Sequence, residues 1–457
     1  MAEEIKYIGK PAVARQVRQN AAKKNDPYRS LKIALWSYFL LLIFEGALRK
    51  WVLPFLATPL LLVRDPIVIW AMYKANKLGI LPKSNYISTS VVIGVISIFT
   101  AVLFGHGNIL VALFGARTFL FYLPFIFLIG RVFNKNDVIE IGRATLWIAL
   151  PMTVLVTAQF YSPQSAWVNR AVGGDEGGGF SGAMGYFRPP GTFSFTNGVS
   201  LFYTFLSCYV FYFWLNQKLI NRIVLLAATF CLVASIPLSI SRALLFSICV
   251  VALFVVLASA RKPKYIGKVI AASVGLFLLL MILSKLSFFQ TATEAFTHRF
   301  ESAGNSEGGL EGTLVDRYLG DIITPLSSAL DAPIFGFGIG LLTNVGSKLT
   351  TGIITSGIAE GEVGRMIAEM GLILGIIALI IRTSLSIKTF KMAYSKLATG
   401  EVLPWTLLSV SLLLGPQGNW AQPTSLGFSV LTIGLVIAAT NEPRKVVAKK
   451  PQPVSTV

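Results

Sequence analysis

The sequence predicts an all-α protein whose helices cross a membrane about twelve times. Hydrophobic residues occupy 54% of the 457 positions, charged residues only 13%, and the mean hydropathy is +0.68. An ordinary soluble domain carries about 25% charged residues, which cover its surface. Apolar stretches long enough to cross about 30 Å of hydrocarbon recur from one end of the chain to the other. These observations exclude a soluble fold.

The apolar stretches also set the order of the spans and the domain limits. A basic cytoplasmic arm covers residues 1–30, a transmembrane domain covers 31–442, and a cytoplasmic tail covers 443–457. The predicted spans lie at 31–48, 56–73, 86–104, 109–130, 138–160, 193–215, 222–240, 242–260, 266–284, 365–386, 401–415 and 424–441.

The net charge of +19 is explained by topology. With the arm 1–30 in the cytosol, every loop on that side of the membrane carries Lys or Arg, which is the positive-inside bias of a multi-pass protein. Both termini are then cytoplasmic, and the basic composition requires no nucleic-acid partner. Binding of the arm to anionic lipid or to a partner protein is the alternative role. The basic loop residues include Lys74, Lys77, Arg131, Lys218, Arg261, Lys262, Arg382, Lys388 and Lys391.

Three segments on the opposite side hold most of the polar residues there. They are the glycine-rich loop 161–192, the long loop 285–364 and the turn 415–423. In the long loop, apolar residues between 319 and 330 recur at helical spacing, which predicts amphipathic helices on the outer surface. We expect chemistry on this side.

Four arginines in these outer segments are candidate anion ligands. Arg188 precedes two prolines in FRPPGTF, where a stiff backbone holds the guanidinium at the membrane surface. Arg242 lies in a very short turn between two spans, and its alternative role is a snorkelling anchor. Arg299 and Arg317 belong to the long loop, where Arg317 has Asp316 or Asp321 as an alternative local partner.

The stretch AEGEVGRMIAEMGLILG places acidic residues at the start of the tenth span. Glu362, Arg365 and Glu369 are three and four residues apart and share one helix face. An intrahelical salt-bridge ladder explains Arg365 and Glu369. It does not explain Glu360 and Glu362, which we predict to be open to a ligand.

Other charged residues fall within predicted spans. Glu45 and Arg49 are four residues apart, and Arg64 adjoins Asp65. Charges at such positions must pair or line a cavity, so they indicate either a buried structural network or a substrate path. The chain has only two histidines, which excludes a multi-histidine metal centre.

The order of these motifs resembles the O-antigen polymerase and O-antigen ligase superfamily. The similarity covers roughly residues 90–440 and rests on RPPGTFSFTNG, SISR between two spans, PIFGFGIGLL and AEGEVGRMIAEMGLILG. The resemblance implies a GT-C-like fold in the inner membrane of a bacterium. It also implies transfer of a glycan from undecaprenyl diphosphate to a hydroxyl acceptor at the periplasmic face, without metal or other cofactor.

The resemblance assigns roles to the candidate residues. Arg188 and Arg242 correspond to the arginines that hold the diphosphate, with Arg299 or Arg317 as a third and Arg365 as a further candidate. The ligases carry a histidine eleven positions before a glycine, and counting back from Gly371 gives Glu360. That departure favours a polymerase, with Glu360 or Glu362 as the base.

Aromatic residues and partners complete the expectation. Tyr186, Trp167 and Trp420 are candidates for stacking on sugar rings, although a place in the aromatic belt at the membrane interface is the commoner explanation for such residues. The resemblance implies a lipid-linked glycan donor, a glycan acceptor, and partner proteins that set chain length or flip the carrier. Ligase-type transfer to another acceptor, and a lipid-linked oligosaccharide flippase, are the alternative functions.

Overall fold

The computed structural model describes residues 27–260, 266–306, 333–343, 345–350 and 361–442. Within these ranges the regular secondary structure is helical apart from one two-stranded hairpin, and turns and loops connect the elements. The strands are β1 (Phe180–Ala183) and β2 (Tyr186–Arg188). The helices are α1 (Arg29–Ala47), α2 (Asp65–Lys77), α3 (Asn85–Leu103), α4 (Ile109–Arg117), α5 (Leu123–Val132), α6 (Lys135–Tyr161), α7 (Asn197–Leu215), α8 (Arg222–Leu238), α9 (Arg242–Ala260), α10 (Ile266–Lys285), α11 (Ser287–Ser306), α12 (Gly346–Leu349), α13 (Gly361–Ala398), α14 (Leu403–Leu414) and α15 (Pro423–Ala439).

Seven helical stretches in the described part of the chain are long and apolar enough to cross a membrane. Two of them continue through a turn of π-helix: α1 extends to Val52, and α4 joins α5 through Thr118–Tyr122. Three more apolar helices, α8, α14 and α15, are shorter. Large apolar side chains such as Phe99 and Val154 point outward from the bundle, as expected for helices that face lipid.

Many buried hydroxyl groups of the interior are hydrogen-bonded within their own helix. Buried hydroxyls donate to carbonyl oxygens one helical turn back, as Thr145 does to Ile141 and Thr432 to Phe428. This pairing lets apolar helices carry serine and threonine without loss of backbone hydrogen bonds. At the centre, α15 packs tightly on α5, where an added Cβ at Gly434 would lie 2.7 Å from the side chain of Ile129.

The predicted span 56–73 is wrong as a single helix. The chain forms two short 3-10 turns at Pro54–Leu56 and Pro59–Leu62, and α2 begins only at Asp65. Prolines at 54, 59 and 66 remove backbone donors and interrupt a continuous helix. The other predicted spans overlap described helices, and one of these is broken.

The break lies in α13, whose two arms meet at Gly371 with φ 76° and ψ 171°. The arms fold back on each other, because Glu362 accepts a hydrogen bond from Arg382. Twenty residues of straight helix would separate the two by about 30 Å. A Cβ at Gly371 would lie 2.1 Å from the carbonyl oxygen of Ile334, so only glycine fits. The prediction of one continuous span at 365–386 is therefore wrong.

Two features stabilise this break. The segment 333–343 packs on it, where the backbone N–H of Phe337 donates to Ala368 and that of Gly338 to Glu369. Gly375 allows the arms to approach, because an added Cβ would lie 2.9 Å from the Cα of Ile367. Gly371 and Gly375 thus provide a turn and a close contact within one element.

The charges in the first two predicted spans form a buried structural network. Arg64 donates to Glu45 at 3.0 Å, and Arg49 lies 3.5 Å from the same carboxylate. Arg117 donates to Asp65 at 2.6 Å. These pairs join α1, the following turns and α4, so the structural interpretation of Glu45, Arg49, Arg64 and Asp65 fits their contacts.

Candidate functional site

Three of the predicted arginines line one cavity of about 510 Å³, which we call the arginine cavity. Arg188 ends β2, Arg242 begins α9, and Arg299 lies on α11. These elements are separated by 54 or more positions in the chain, so the fold brings the guanidinium groups to one place.

Arg242 is positioned by a strained turn between α8 and α9. Ile240 has φ 46°, a conformation that is costly for a β-branched residue and recurs at functional sites. Ser241 caps α9, because its Oγ accepts from the backbone N–H of Leu244 at 3.3 Å and bonds Ser200 Oγ at 3.0 Å. Arg242 therefore adds its charge to the positive end of the helix dipole, which favours an anion.

Arg188 is held by the β-hairpin. Met184 and Gly185 form its two-residue loop, and both have positive φ, as a type I′ turn requires. Gly182 lets the hairpin approach the strained turn, since an added Cβ would lie 2.7 Å from Ile240 and 3.3 Å from the side chain of Arg188. The hairpin and the turn thus place their arginines together.

Arg299 reaches the cavity from α11, the first helix of the long loop. Phe300 packs edge-on against Phe246 of α9, with ring centroids 6.0 Å apart. The hydroxyl of Tyr161 at the end of α6 donates to the carbonyl of Phe288 near the start of α11. Contacts at both ends therefore fix the helix that carries Arg299.

The remaining wall of the cavity is neutral. It comes from the end of α14, the turn that follows it, and the first turns of α7 and α15. Among the described residues that line the cavity there is no carboxylate and no histidine. The polar residues of this wall are Asn197, Gln417, Asn419 and Ser425.

Glu362 and Arg365, predicted as base and diphosphate ligand, do not line the arginine cavity. Arg365 donates two hydrogen bonds to Glu362, at 2.8 and 2.9 Å, and a third to Glu369. Arg382 donates to Glu362 from the other arm of α13. The prediction that Glu362 is open to a ligand is therefore wrong, because its carboxylate is buried and paired with both arginines. The four residues form one network, which we call the α13 network, and the roles of base and diphosphate ligand stay predictions. The salt-bridge ladder explains Glu362 as well as Arg365 and Glu369, because Gly371 folds Arg382 back onto it.

Arg382 was predicted to lie in a cytoplasmic loop, and this too is wrong. Its side chain is only 1% exposed and donates to the carbonyls of Gly415 and Gly418 at 2.8 and 2.7 Å. Sequence spacing gave no sign of these contacts, because they depend on the break at Gly371.

The aromatic residues predicted to contact the glycan pack against other side chains of the protein. Trp420 is 2% exposed and stacks on the guanidinium of Arg382 at 4.0 Å, so it cannot contact a glycan in this structure. Tyr186 stacks on Phe160 with ring centroids 5.0 Å apart. Trp167 is 57% exposed, stacks on Trp51 and does not line the arginine cavity.

Two predicted site residues, Glu360 and Arg317, lie outside the described residues, as does the segment predicted to form the amphipathic helix. Within the described ranges, no group of three His, Cys, Asp or Glu could hold a metal ion. Comparison of the chain with protein-family models, with curated proteins and with solved structures gave no match.

Proposed function

We propose that the protein is a membrane glycosyltransferase that polymerises lipid-linked oligosaccharide repeat units. The donor is a glycan on undecaprenyl diphosphate, the acceptor is a sugar hydroxyl, and the arginine cavity holds the diphosphate. The observation that carries the proposal is the meeting of Arg188, Arg242 and Arg299, from three separate segments, at one cavity.

The chemistry of transfer suits such a cavity. The acceptor oxygen bonds to the anomeric carbon, the bond from that carbon to the diphosphate oxygen breaks, and the diphosphate departs with the bonding electrons. Guanidinium groups and the N-terminus of α9 stabilise the charge that develops on the leaving group. Arginine binds phosphate oxygens through two parallel donors, which also fixes the orientation of the donor substrate.

The acceptor must also lose a proton. Because Glu362 is held by two arginines, the candidate base that remains from the sequence is Glu360, next to the start of α13. Substitution of Glu360 by Gln should abolish transfer, measured with purified enzyme and lipid-linked repeat units. The matched control is Glu301→Gln, which removes an exposed carboxylate from α11. Full turnover in Glu360→Gln would remove this carboxylate from the mechanism.

The proposal includes a topology. Twelve crossings in a GT-C-like arrangement, with α2 and the turns before it as one interrupted crossing, place both termini in the cytosol and the arginine cavity at the periplasmic face. Two variants test this topology: Arg170→Cys, in the loop 161–192, and Lys74→Cys, at the end of α2. An impermeant thiol reagent should label the two introduced cysteines from opposite sides of the membrane. Reaction of both from the same side would contradict the topology.

The decisive experiment supplies the purified protein, reconstituted in liposomes, with lipid-linked repeat units. We expect a ladder of lengthening glycans on the carrier, and loss of the ladder in Arg188→Ala and Arg242→Ala. Arg170→Ala is the matched control, because Arg170 is exposed and outside the cavity.

Other outcomes of the same assay identify the alternative functions. A single transfer to a different lipid or protein would indicate a ligase. Movement of the lipid-linked sugar across the bilayer without a new glycosidic bond would indicate a flippase and refute the transferase.

A further inference from the structure

We propose that the segment 414–420 is the sugar-recognising wall of the arginine cavity, and that Arg382 is the residue that positions it. This inference rests on the proposed function, since it assigns the sugar next to the diphosphate to a particular surface. Residues 414, 417, 418 and 419 of the segment line the same cavity as the three arginines.

Arg382 holds this segment from behind. Its Nε donates to the carbonyl of Gly415 at 2.8 Å and its Nη2 to that of Gly418 at 2.7 Å. Two carbonyls three residues apart are thereby held on one rigid, planar group. Both carbonyls belong to the connection between α14 and α15, outside either helix.

Trp420 and Glu362 complete the support. The backbone N–H of Trp420 donates to Glu362 at 3.2 Å, and its indole Nε1 donates to the carbonyl of Leu414 at 3.3 Å. The indole also lies on the guanidinium of Arg382. Both ends of the segment are therefore fixed to the same buried arginine and carboxylate.

The side of the segment that faces the cavity carries amides. Gln417 and Asn419 lie there, with Asn197 of α7 nearby on the same lining. Asn419 uses its Oδ1 to accept from the backbone N–H groups of residues 421 and 422, which fixes the orientation of its amide group. Amides both donate and accept, which matches sugar hydroxyl and acetamido groups, whereas guanidinium groups match phosphate.

Arg382 has a different role from the arginines that line the cavity, and the charge around it shows the difference. The α13 network contains two carboxylates and two arginines, so it carries no net charge when all four are ionised, and it lies behind the wall. Arg382 therefore acts on the substrate through the segment it holds, and not through its own charge.

The test measures the affinity of the full-length protein in detergent for two probes. One probe is undecaprenyl diphosphate, and the other is the undecaprenyl-diphosphate-linked oligosaccharide extracted from a host strain that lacks this protein. We expect the wild-type protein to bind the sugar-bearing probe more tightly. Gln417→Ala should reduce that preference by about 2- to 10-fold, the value of one neutral hydrogen bond.

Arg382→Met should reduce the preference at least as much, because it releases the whole segment, and Arg382→Lys should restore part of it. Arg117→Met is the control for loss of a buried ion pair: it should lower stability but leave the preference unchanged. Arg242→Ala should lower the affinity of the protein for both probes by the same factor.

Two outcomes would overturn the inference. One is equal affinity of the wild-type protein for the two probes. The other is an unchanged preference in both Gln417→Ala and Arg382→Met while Arg242→Ala weakens both probes. If neither probe binds the wild-type protein, the proposed function itself fails.

Discussion

The arginine cavity and the α13 network each bring several arginines together, but the surroundings of those arginines differ. In the α13 network, Arg365 and Arg382 donate to Glu362, and Arg365 also donates to Glu369. The described lining of the arginine cavity places Arg188, Arg242 and Arg299 around an open volume instead.

The difference shows what decides the role of an arginine in an apolar bundle. A guanidinium that is buried with carboxylates contributes to folding, because removing either partner leaves an uncompensated charge. A guanidinium that lines a cavity at the positive end of a helix is placed to meet an anionic ligand, which is the role we propose for Arg242. The comparison therefore predicts separate effects on stability and on transfer.

The largest effect on stability should come from the α13 network. Glu362→Ala leaves Arg382 buried without its carboxylate, which should lower the free energy of unfolding by about 3–5 kcal/mol. Thermal denaturation of the purified protein in detergent measures this loss. Glu140→Ala, which removes an exposed carboxylate paired with Arg143, should cost less than about 1 kcal/mol. Similar stabilities for the two variants would break the comparison.

The arginine cavity should show the reverse pattern. Arg242→Ala should lower the rate of transfer by about 10²- to 10³-fold, equivalent to about 2.7–4 kcal/mol of lost transition-state stabilisation. Its denaturation temperature should fall by less than that of Glu362→Ala, because Arg242 lies at a helix N-terminus, where the dipole disfavours a cation. A large loss of stability would instead give Arg242 a structural role.

The break in α13 can be tested at Gly371. Alanine there must adopt a positive φ and would place a Cβ 2.1 Å from a carbonyl oxygen, so we expect a cost of at least about 1–3 kcal/mol. Gly267→Ala in α10 is the control, since an added Cβ would meet nothing within 4 Å, and it should be neutral or stabilising. Equal denaturation temperatures would contradict the observed fold of α13.

The smallest loss of stability is expected at the turn before α9, where a capping residue adjoins an arginine of the cavity. Ser241→Ala removes the cap of that helix and should cost about 1 kcal/mol. Because Ser241 adjoins Arg242, the same variant should weaken binding of undecaprenyl diphosphate to the protein several-fold. Ser395→Ala, in an exposed part of α13, should change neither quantity. Unchanged binding in Ser241→Ala would show that the cap of α9 does not contribute to binding of the diphosphate.

Sequence reasoning identified the residues of the arginine cavity better than those of the α13 network. Arg188 and Arg242 were recognisable because each lies next to a local feature, a proline pair or a very short turn, that limits where its side chain can go. Glu362 and Arg382 were misjudged because their contact depends on one glycine. A GxxxG pattern predicts close packing and gives no sign that the chain reverses at Gly371.

The same limit applies to the wall of the cavity. The turn 415–423 was recognised as polar outer material, but Gln417 and Asn419 were not singled out. Amide side chains are common in turns, and the backbone of this one is held by Arg382, which lies more than thirty positions earlier.

The sequence by itself determined that the chain is a bundle of apolar helices, because hydrocarbon-length apolar stretches can satisfy their backbone groups in no other way. It also showed which arginines lie where a charged side chain is energetically unfavourable unless it has a partner or a ligand. Only the tertiary structure decided which charges pair with each other and which line a cavity. The physical reason is that pairing depends on distances of a few ångströms between segments far apart in the chain, and a single backbone reversal changes all of them.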